Sequence, residues 1–356
     1  MKAFITGTSC ISPQRTVEGL QALNNPIDYP GSALSCYEPN YENHFTLQQL
    51  RRLSRVLKIG TTTARLALAD ADLQLPDGII TGTGYGCLED TITFLRKITE
   101  LKEQALNPTP FMQSTHNTIG STVAIMLQCT RYNQTFVHGA FSFEQSLIDA
   151  LLFLAEQPQQ KLLVGAIDER TSTSQTIFNR FGIYRKNLAS SLSLFKQRKN
   201  GTIGGEGAAY FVLTGEASEK SKACIEAVRT IQTTDHQKLH HTLTDFLSNA
   251  ALAPGDVDLL LLGKSGDKKA DQFLDEVSQQ FTRSSIGVFK HLCGEHPSAT
   301  SFATWMAVNI LAENHIPETV FLTNRGRAPK NILLVNSYLY KHHTFILLTA
   351  CHPTKK

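Results

Sequence analysis

One pattern recurs in both halves of the chain: an apolar run, a glycine turn, a helix with an apolar stripe, and a second apolar run. In the first half, Gly78-Ile-Ile-Thr-Gly-Thr-Gly84 reads as a strand entering a glycine-rich turn, with a helix from about Glu89. Thr135-Phe-Val-His138 reads as a strand that breaks at Gly139. A helix from Phe143 to Glu156 follows, with Leu147, Leu151 and Leu154 on one face, and then the buried strand Lys161–Asp168. In the second half, Asp258–Gly263 is a strand ending in a glycine turn, and a helix runs through Phe273 and Val277. Gly287–Lys290 is a strand-like entry to a loop, Ser298–Glu313 an apolar helix, and Asn331–Val335 and Thr344–Thr349 two closing strands. Short continuous apolar runs that alternate with helical periodicity predict strands buried on both faces. The expected fold is α/β, built from two similar βαβ lobes, residues 1–215 and 216–356, with functional groups at the strand ends.

The remaining stretches fill in this frame. Lys2–Gly7 reads as an opening strand, and residues 24–45 as a long surface excursion. Thr46–Asp70 reads as one helix, with Arg51, Arg52, Arg55 and Lys58 on a solvated face that could also receive an acidic protein. Asn107–Met112 is expected to be a loop, and Ser121–Leu127 a helix of small residues. The polar, basic stretch Thr171–Lys199 is expected to be loop-rich. Gly204-Gly-Glu-Gly207 leads into the strand Ala208–Leu213, not into a helix, so it is no phosphate loop.

Composition excludes several function classes. A net charge of +3 over 356 residues is too weak for a nucleic-acid partner. Seven widely spaced cysteines without a CxxC pair point to reduced thiols, not to a zinc site or a disulfide framework. The pairs His240-His241 and His342-His343 point their rings apart, so no metal site and no cofactor is expected. No apolar run reaches membrane-spanning length, and MKAFITGTSC is no signal sequence, which gives a cytoplasmic expectation.

Taken in order, several stretches resemble the β-ketoacyl synthases. Lys2–Pro13 (KAFITGTSCISP) is similar to their opening strand and turn. Gly139–Ala150 (GAFSFEQSLIDA) falls at their nucleophile elbow, and Lys161–Glu169 (KLLVGAIDE) at the strand after it. Asn200–Leu213 (NGTIGGEGAAYFVL) is similar to the turn that closes the first lobe. Asp256–Asp271 and Lys290–Gly294 fall at the two histidine loops, and Asn336-Ser337 opens the C-terminal loop. The resemblance implies a thiolase fold of five layers, α-β-α-β-α, and an obligate dimer. In working members it also implies a Cys-His-His site that condenses an acyl thioester with malonyl on acyl carrier protein.

That chemistry needs a thiolate of lowered pKa and imidazoles that stabilise an enolate. By the resemblance, the nucleophile position falls on Ala140, the first histidine on Gly263 (or Lys264 after a one-residue slip), and the second on Glu295. A methyl cannot attack a thioester, and a carboxylate repels the enolate. Ser142, Cys293 and His296 are the conceivable substitutes. The resemblance also brings a mobile, glycine-containing gate after Asn-Ser. Here Tyr338 and Tyr340 are expected to fill the pocket, and the missing glycines to remove its φ > 0 freedom.

The sequence reading is therefore a silent ketosynthase-like subunit, of the kind called a chain-length factor. Its expected partners are an active ketosynthase, in a heterodimer, and acyl carrier protein. Pro110, Phe111 and Met112, with Phe141 and Phe143, are expected at the tunnel wall or interface, where bulk excludes chain atoms by overlap. The alternatives are a divergent acyltransferase or hydrolase using Ser142 or Cys293, and a homodimeric carrier-protein scaffold.

Overall fold

The computed structural model describes residues 2–186, 188–196 and 199–351. Eleven strands form one hydrogen-bonded sheet: β1 (Ala3–Ile11), β2 (Gly78–Gly82), β3 (Tyr132–Phe136), β4 (Lys161–Asp168), β5 (Gly207–Thr214), β6 (Ala223–Gln232), β7 (Leu259–Gly263), β8 (Ser285–Val288), β9 (Phe321–Thr323), β10 (Asn331–Tyr338) and β11 (His342–Ala350). Their order is β3-β2-β4-β5-β1-β6-β11-β10-β7-β8-β9. The repeat read from the sequence is visible in that order. Each half has a parallel core, β3-β2-β4 in one and β8-β7-β10 in the other. An antiparallel strand, β5 or β11, then leads to β1 or β6. The halves join where Ala3–Ile5 pairs with Ala223–Ile225.

Alternate residues of each strand face different cores, which makes the layers. Ile80, Leu162, Val164 and Phe211 face the centre, whereas Ile79, Leu163 and Val212 pack under the outer helices Arg55–Asp70 and Thr118–Leu127. In the second half Leu259, Leu261 and Leu334 face the centre. Leu260, Leu262 and Val335 pack against the helices His236–Asn249 and Gln272–Gln280. The helices Ser142–Glu156 and Ala299–Glu313 lie between the two halves. The second is buried on nearly every face, as a helix with sheets on both sides must be. The result is the five-layered α-β-α-β-α thiolase arrangement. No described helix is long and apolar enough to cross a membrane.

Several local expectations need correction. The helix expected over Thr46–Asp70 breaks at Leu53-Ser54 into Leu47–Arg52 and Arg55–Asp70, each opened by its own Thr or Ser. Arg55 is part-exposed but not free: its guanidinium forks onto the buried Glu206 and also reaches Glu38 at 2.6 Å. The expected loop 107–112 is a short helix, Pro108–Gln113. Pro108 sits where a helix needs no N–H, and the Asn107 side chain accepts from the Thr109 N–H. Within the loop-rich 171–199 lies a helix, Ser172–Arg180, opened by a Thr171–Ser174 capping box.

Candidate functional site

The C-terminal ends of the parallel strands of both halves converge on one place. β2 delivers Thr83, Gly84 and Tyr85; β4 ends on Asp168; β7 ends on Gly263; β10 runs through Asn336, Ser337 and Tyr338. The turn after β3 delivers Ala140, and the turn after the Lys290–Cys293 helix delivers Glu295. Ala140 and Glu295 are buried, as is the Gly263 backbone.

The turn at Ala140 keeps the shape of an elbow. Gly139 takes φ +55°, and the helix Ser142–Glu156 begins at once. Ser142 is committed to this turn. Its Oγ accepts from the His138 N–H at 2.9 Å and lies 2.9 Å from the Thr83 carbonyl and 3.0 Å from the Gly139 carbonyl. Its single hydroxyl hydrogen is taken up by a carbonyl, and among the described residues no basic side chain hydrogen-bonds to it. The geometry is that of a cap, not of an activated nucleophile.

Gly263 is tightly enclosed. A Cβ placed there would lie 2.0 Å from Oδ1 of Asn336, so the Asn336 side chain occupies the space a residue 263 side chain would need. Lys264 does not substitute for it, because Nζ pairs with Asp275 at 2.6 Å. Asp271 holds the following turn, accepting from the Ser265 and Gly266 N–H groups.

Glu295 carries a buried ion pair. Lys290 Nζ donates to Oε2 at 2.8 Å and to the Ser337 carbonyl at 3.0 Å. Burial pushes the Glu295 carboxyl up, and the Lys290 ammonium only partly offsets this. His296 is also buried, neither ring nitrogen has a partner among the described residues, and burial drives its pKa down to about 3. It is therefore a neutral imidazole at physiological pH. Cys293 is buried with its thiol pushed well above the ordinary value by desolvation, and it donates to the Gly294 carbonyl at 3.3 Å. A thiol in that state is inert.

Two tyrosines from different lobes close the space over these residues. The Tyr85 and Tyr338 hydroxyls are 3.0 Å apart, and Phe178 packs against both Tyr85 and Tyr184. Tyr338 also shares an apolar cluster with Ala140 and Phe141. Tyr85 could not be singled out from the sequence, because its partner is 253 residues away. The expectation for Tyr340 is corrected. It is 44% exposed and lies under the Lys269 ammonium at 4.3 Å, outside the pocket. The gate reading is corrected as well. The segment is a tight β-hairpin turn in which Leu339 and Tyr340 take φ +48° and +51°, so positive φ persists without glycine.

The expected wall residues separate. Phe141 lies beside Ala140, between His138 and His342. Phe143 turns into the central core against Phe211, because residue 143 falls on the buried face of its helix. Phe111 and Met112 are 57% and 61% exposed on the Pro108–Gln113 helix, with Phe111 on Phe94, and Pro110 is half-buried beside them.

Residues 39–244 match the sequence model of the β-ketoacyl synthase N-terminal domain. The chain belongs to the β-ketoacyl synthase family. Among solved structures it is similar to the ishigamide ketosynthase/chain length factor, with 15% identity, 99% of each chain covered and a TM-score of 0.82. It is similar to a β-ketoacyl synthase from Burkholderia phymatum, with 13% identity over 99% of this chain and 100% of that one, TM-score 0.81. It is also similar to a ketosynthase in complex with its chain length factor from Xenorhabdus doucetiae, with 12% identity, 98% of each chain covered and a TM-score of 0.79. At these identities the likeness establishes the ketosynthase fold. No curated protein matches the sequence.

Proposed function

We propose that this ketosynthase-like chain is a non-condensing subunit, a chain-length factor, that pairs with an active ketosynthase and shapes its acyl tunnel. The observation that carries the reading is the Lys290–Glu295 pair, set beside Ala140 and the closed Gly263–Asn336 contact. Where the family's condensing members hold a thiolate and two imidazoles, this chain holds a methyl, a glycine and an anion. An anion raises the energy of an enolate at the place where it needs stabilising. The Tyr85–Tyr338 pair and its aromatic neighbours exclude an acyl chain from this subunit's own pocket.

A partner surface supports the same reading. Among the described residues β3 pairs only with β2, so one edge of its backbone is open, and Tyr132 on it is exposed. Around it Ile125, Val137 and Leu152 are exposed apolar residues. An open edge bordered by apolar side chains is a liability in a monomer and a template in an assembly. The occupant we assign is a condensing ketosynthase, as in the ketosynthase and chain length factor complexes of similar fold. Acyl carrier protein, which is bound in another structure of similar fold, is the assigned carrier of the substrate. Phe111, Met112 and Phe141 are the tunnel-wall candidates of this reading.

Co-expression with a condensing ketosynthase tests the pairing. A one-to-one complex on size-exclusion chromatography is expected, and it should be weakened by charge placed beside the open edge, for example Ile125→Asp on the helix Thr118–Leu127. A stable homodimer that ignores the ketosynthase would overturn the assignment.

A further inference from the structure

Strands β1 and β6 pair only through Ala3–Ile5 and Ala223–Ile225. Beyond Ile225, the edge of β6 that faces away from β11 meets no other described strand. A groove of about 650 Å³ lies along that stretch. Its walls are Val228 of β6, Leu347 of β11, Phe246 of the helix His236–Asn249 with Leu252 just beyond it, and Ile148 and Leu151 of the helix Ser142–Glu156. The charged residues at its lining, Lys2, Glu226 and Arg229, carry both signs. An apolar interior with a mixed polar border matches the core and rim of a protein interface.

The groove is continuous with the open edge of β3. The helix Ser142–Glu156 contacts both β3 and β6. On the β3 side, its Phe153 packs on the Tyr132 ring at 5.3 Å, and its Asp149 accepts from the Tyr132 hydroxyl at 2.9 Å. Leu152, in the same turn, is 50% exposed. On the other side, Ile148 and Leu151 of the same two turns line the groove.

The β3 edge is too small to hold a partner alone. Its five residues extend about 17 Å, and at a sheet depth of about 10 Å they offer a footprint of roughly 170 Å². Stable pairs cover about 800 Å² on each partner. The contact must therefore run on over the adjoining apolar surface, and along the helix Ser142–Glu156 that surface leads into the groove.

We propose that the groove is a pairing pocket, which receives an apolar side chain of the condensing ketosynthase seated on β3. This inference rests on the pairing proposed above and deepens it.

Two measurements on the full-length chain test it, with the co-expressed condensing ketosynthase as the probe. Asn249 lines the groove and is exposed, so N249W fills the space from outside the core. Analytical ultracentrifugation should show N249W pairing about ten- to hundredfold more weakly than the parent chain, the worth of one buried apolar side chain. A benzophenone amino acid in place of Arg229, on the exposed rim, leaves the groove open and reads its occupant. On irradiation of the complex it should cross-link to the ketosynthase. N249W pairing as tightly as the parent, no cross-link in an intact complex, or a cross-link only to a second copy of this chain would overturn the groove assignment and leave the pairing standing. Absence of any complex with the parent chain would overturn both.

Discussion

The Lys290 ammonium and the Glu295 carboxylate meet at 2.8 Å with side chains 0% and 4% exposed. Such a pair gives little net stability when intact, but breaking it leaves an uncompensated buried charge. Lys290→Met should therefore destabilise the protein by about 3–5 kcal/mol. The double variant K290M/E295M should recover most of that loss. Urea unfolding of both variants measures the difference, and a double variant no better than the single would refute the arrangement.

Glu144 is fully buried between the lobes, with Oε1 accepting from Thr300 at 2.7 Å and Thr344 at 3.0 Å. Burial raises its pKa from 4.5 to about 7, despite these hydroxyls. The folded state thus holds the proton more tightly than the unfolded chain. The stability linked to it is fully present below pH 4.5 and is lost as pH rises toward about 7. The loss amounts to roughly 3 kcal/mol at most. Asp168 and Glu169 are shifted in the same direction, so the readout is a difference. Glu144→Gln should show a shallower fall in stability between pH 4.5 and 7 than the parent chain, measured by denaturant melts across that window.

Arg55 forks onto Glu206, whose side chain is 1% exposed. Burial alone would raise the Glu206 carboxyl, but Arg55 and the Arg170 and Cys36 N–H groups hold it below its ordinary value. Its contribution is present at neutral pH and is lost as pH falls through the carboxylate range. Arg55→Met should cost about 1–3 kcal/mol at pH 7, a range that discounts the part-exposed arginine for solvent screening. The deficit should shrink in acid, as acid titrations of both proteins would record.

Little of this ion pair could be read from the sequence, because 151 residues separate its members and Arg55 shares a run with three exposed-looking cations. The repeat of strand, glycine turn and helix was legible because burial on both faces leaves continuous apolar runs such as Leu259–Leu262. The stretch 223–249 was not. Its strand alternates only loosely (Ala-Cys-Ile-Glu-Ala-Val-Arg-Thr-Ile-Gln), being paired on both sides yet partly exposed, and the helix His236–Asn249 presents only a narrow apolar stripe. At the site, Ala140, Gly263 and Glu295 could be picked out by their order along the chain, through the family resemblance. What fills the space over them could not, since Tyr85 and Tyr338 meet only in the folded state.

Leu339 and Tyr340 occupy the left-handed region at a cost of about 1–2 kcal/mol each. Asparagine and glycine adopt it readily and favour such hairpin turns. L339N/Y340G should raise the unfolding free energy by about 1 kcal/mol, seen as a higher urea midpoint, after the lost Lys269–Tyr340 contact and the added chain entropy of glycine. A lowered midpoint would mean that the turn is not strained.

Restoring one reactive atom should not restore chemistry. In Ala140→Cys the thiol would sit under Phe141 and Tyr338, with no imidazole at residue 263 or 295. Incubated with an acyl thioester, this variant should acylate at least about tenfold more slowly than a condensing partner, the loss expected without a general base. Mass spectrometry of the peptide carrying residue 140 gives the rate.

The most direct measurement is intact mass of both subunits of the complex after incubation with an acyl-carrier-protein thioester. The account predicts one acyl group on the ketosynthase and none on this chain. An acyl adduct on this chain, at Ser142, Cys293 or elsewhere, would contradict it.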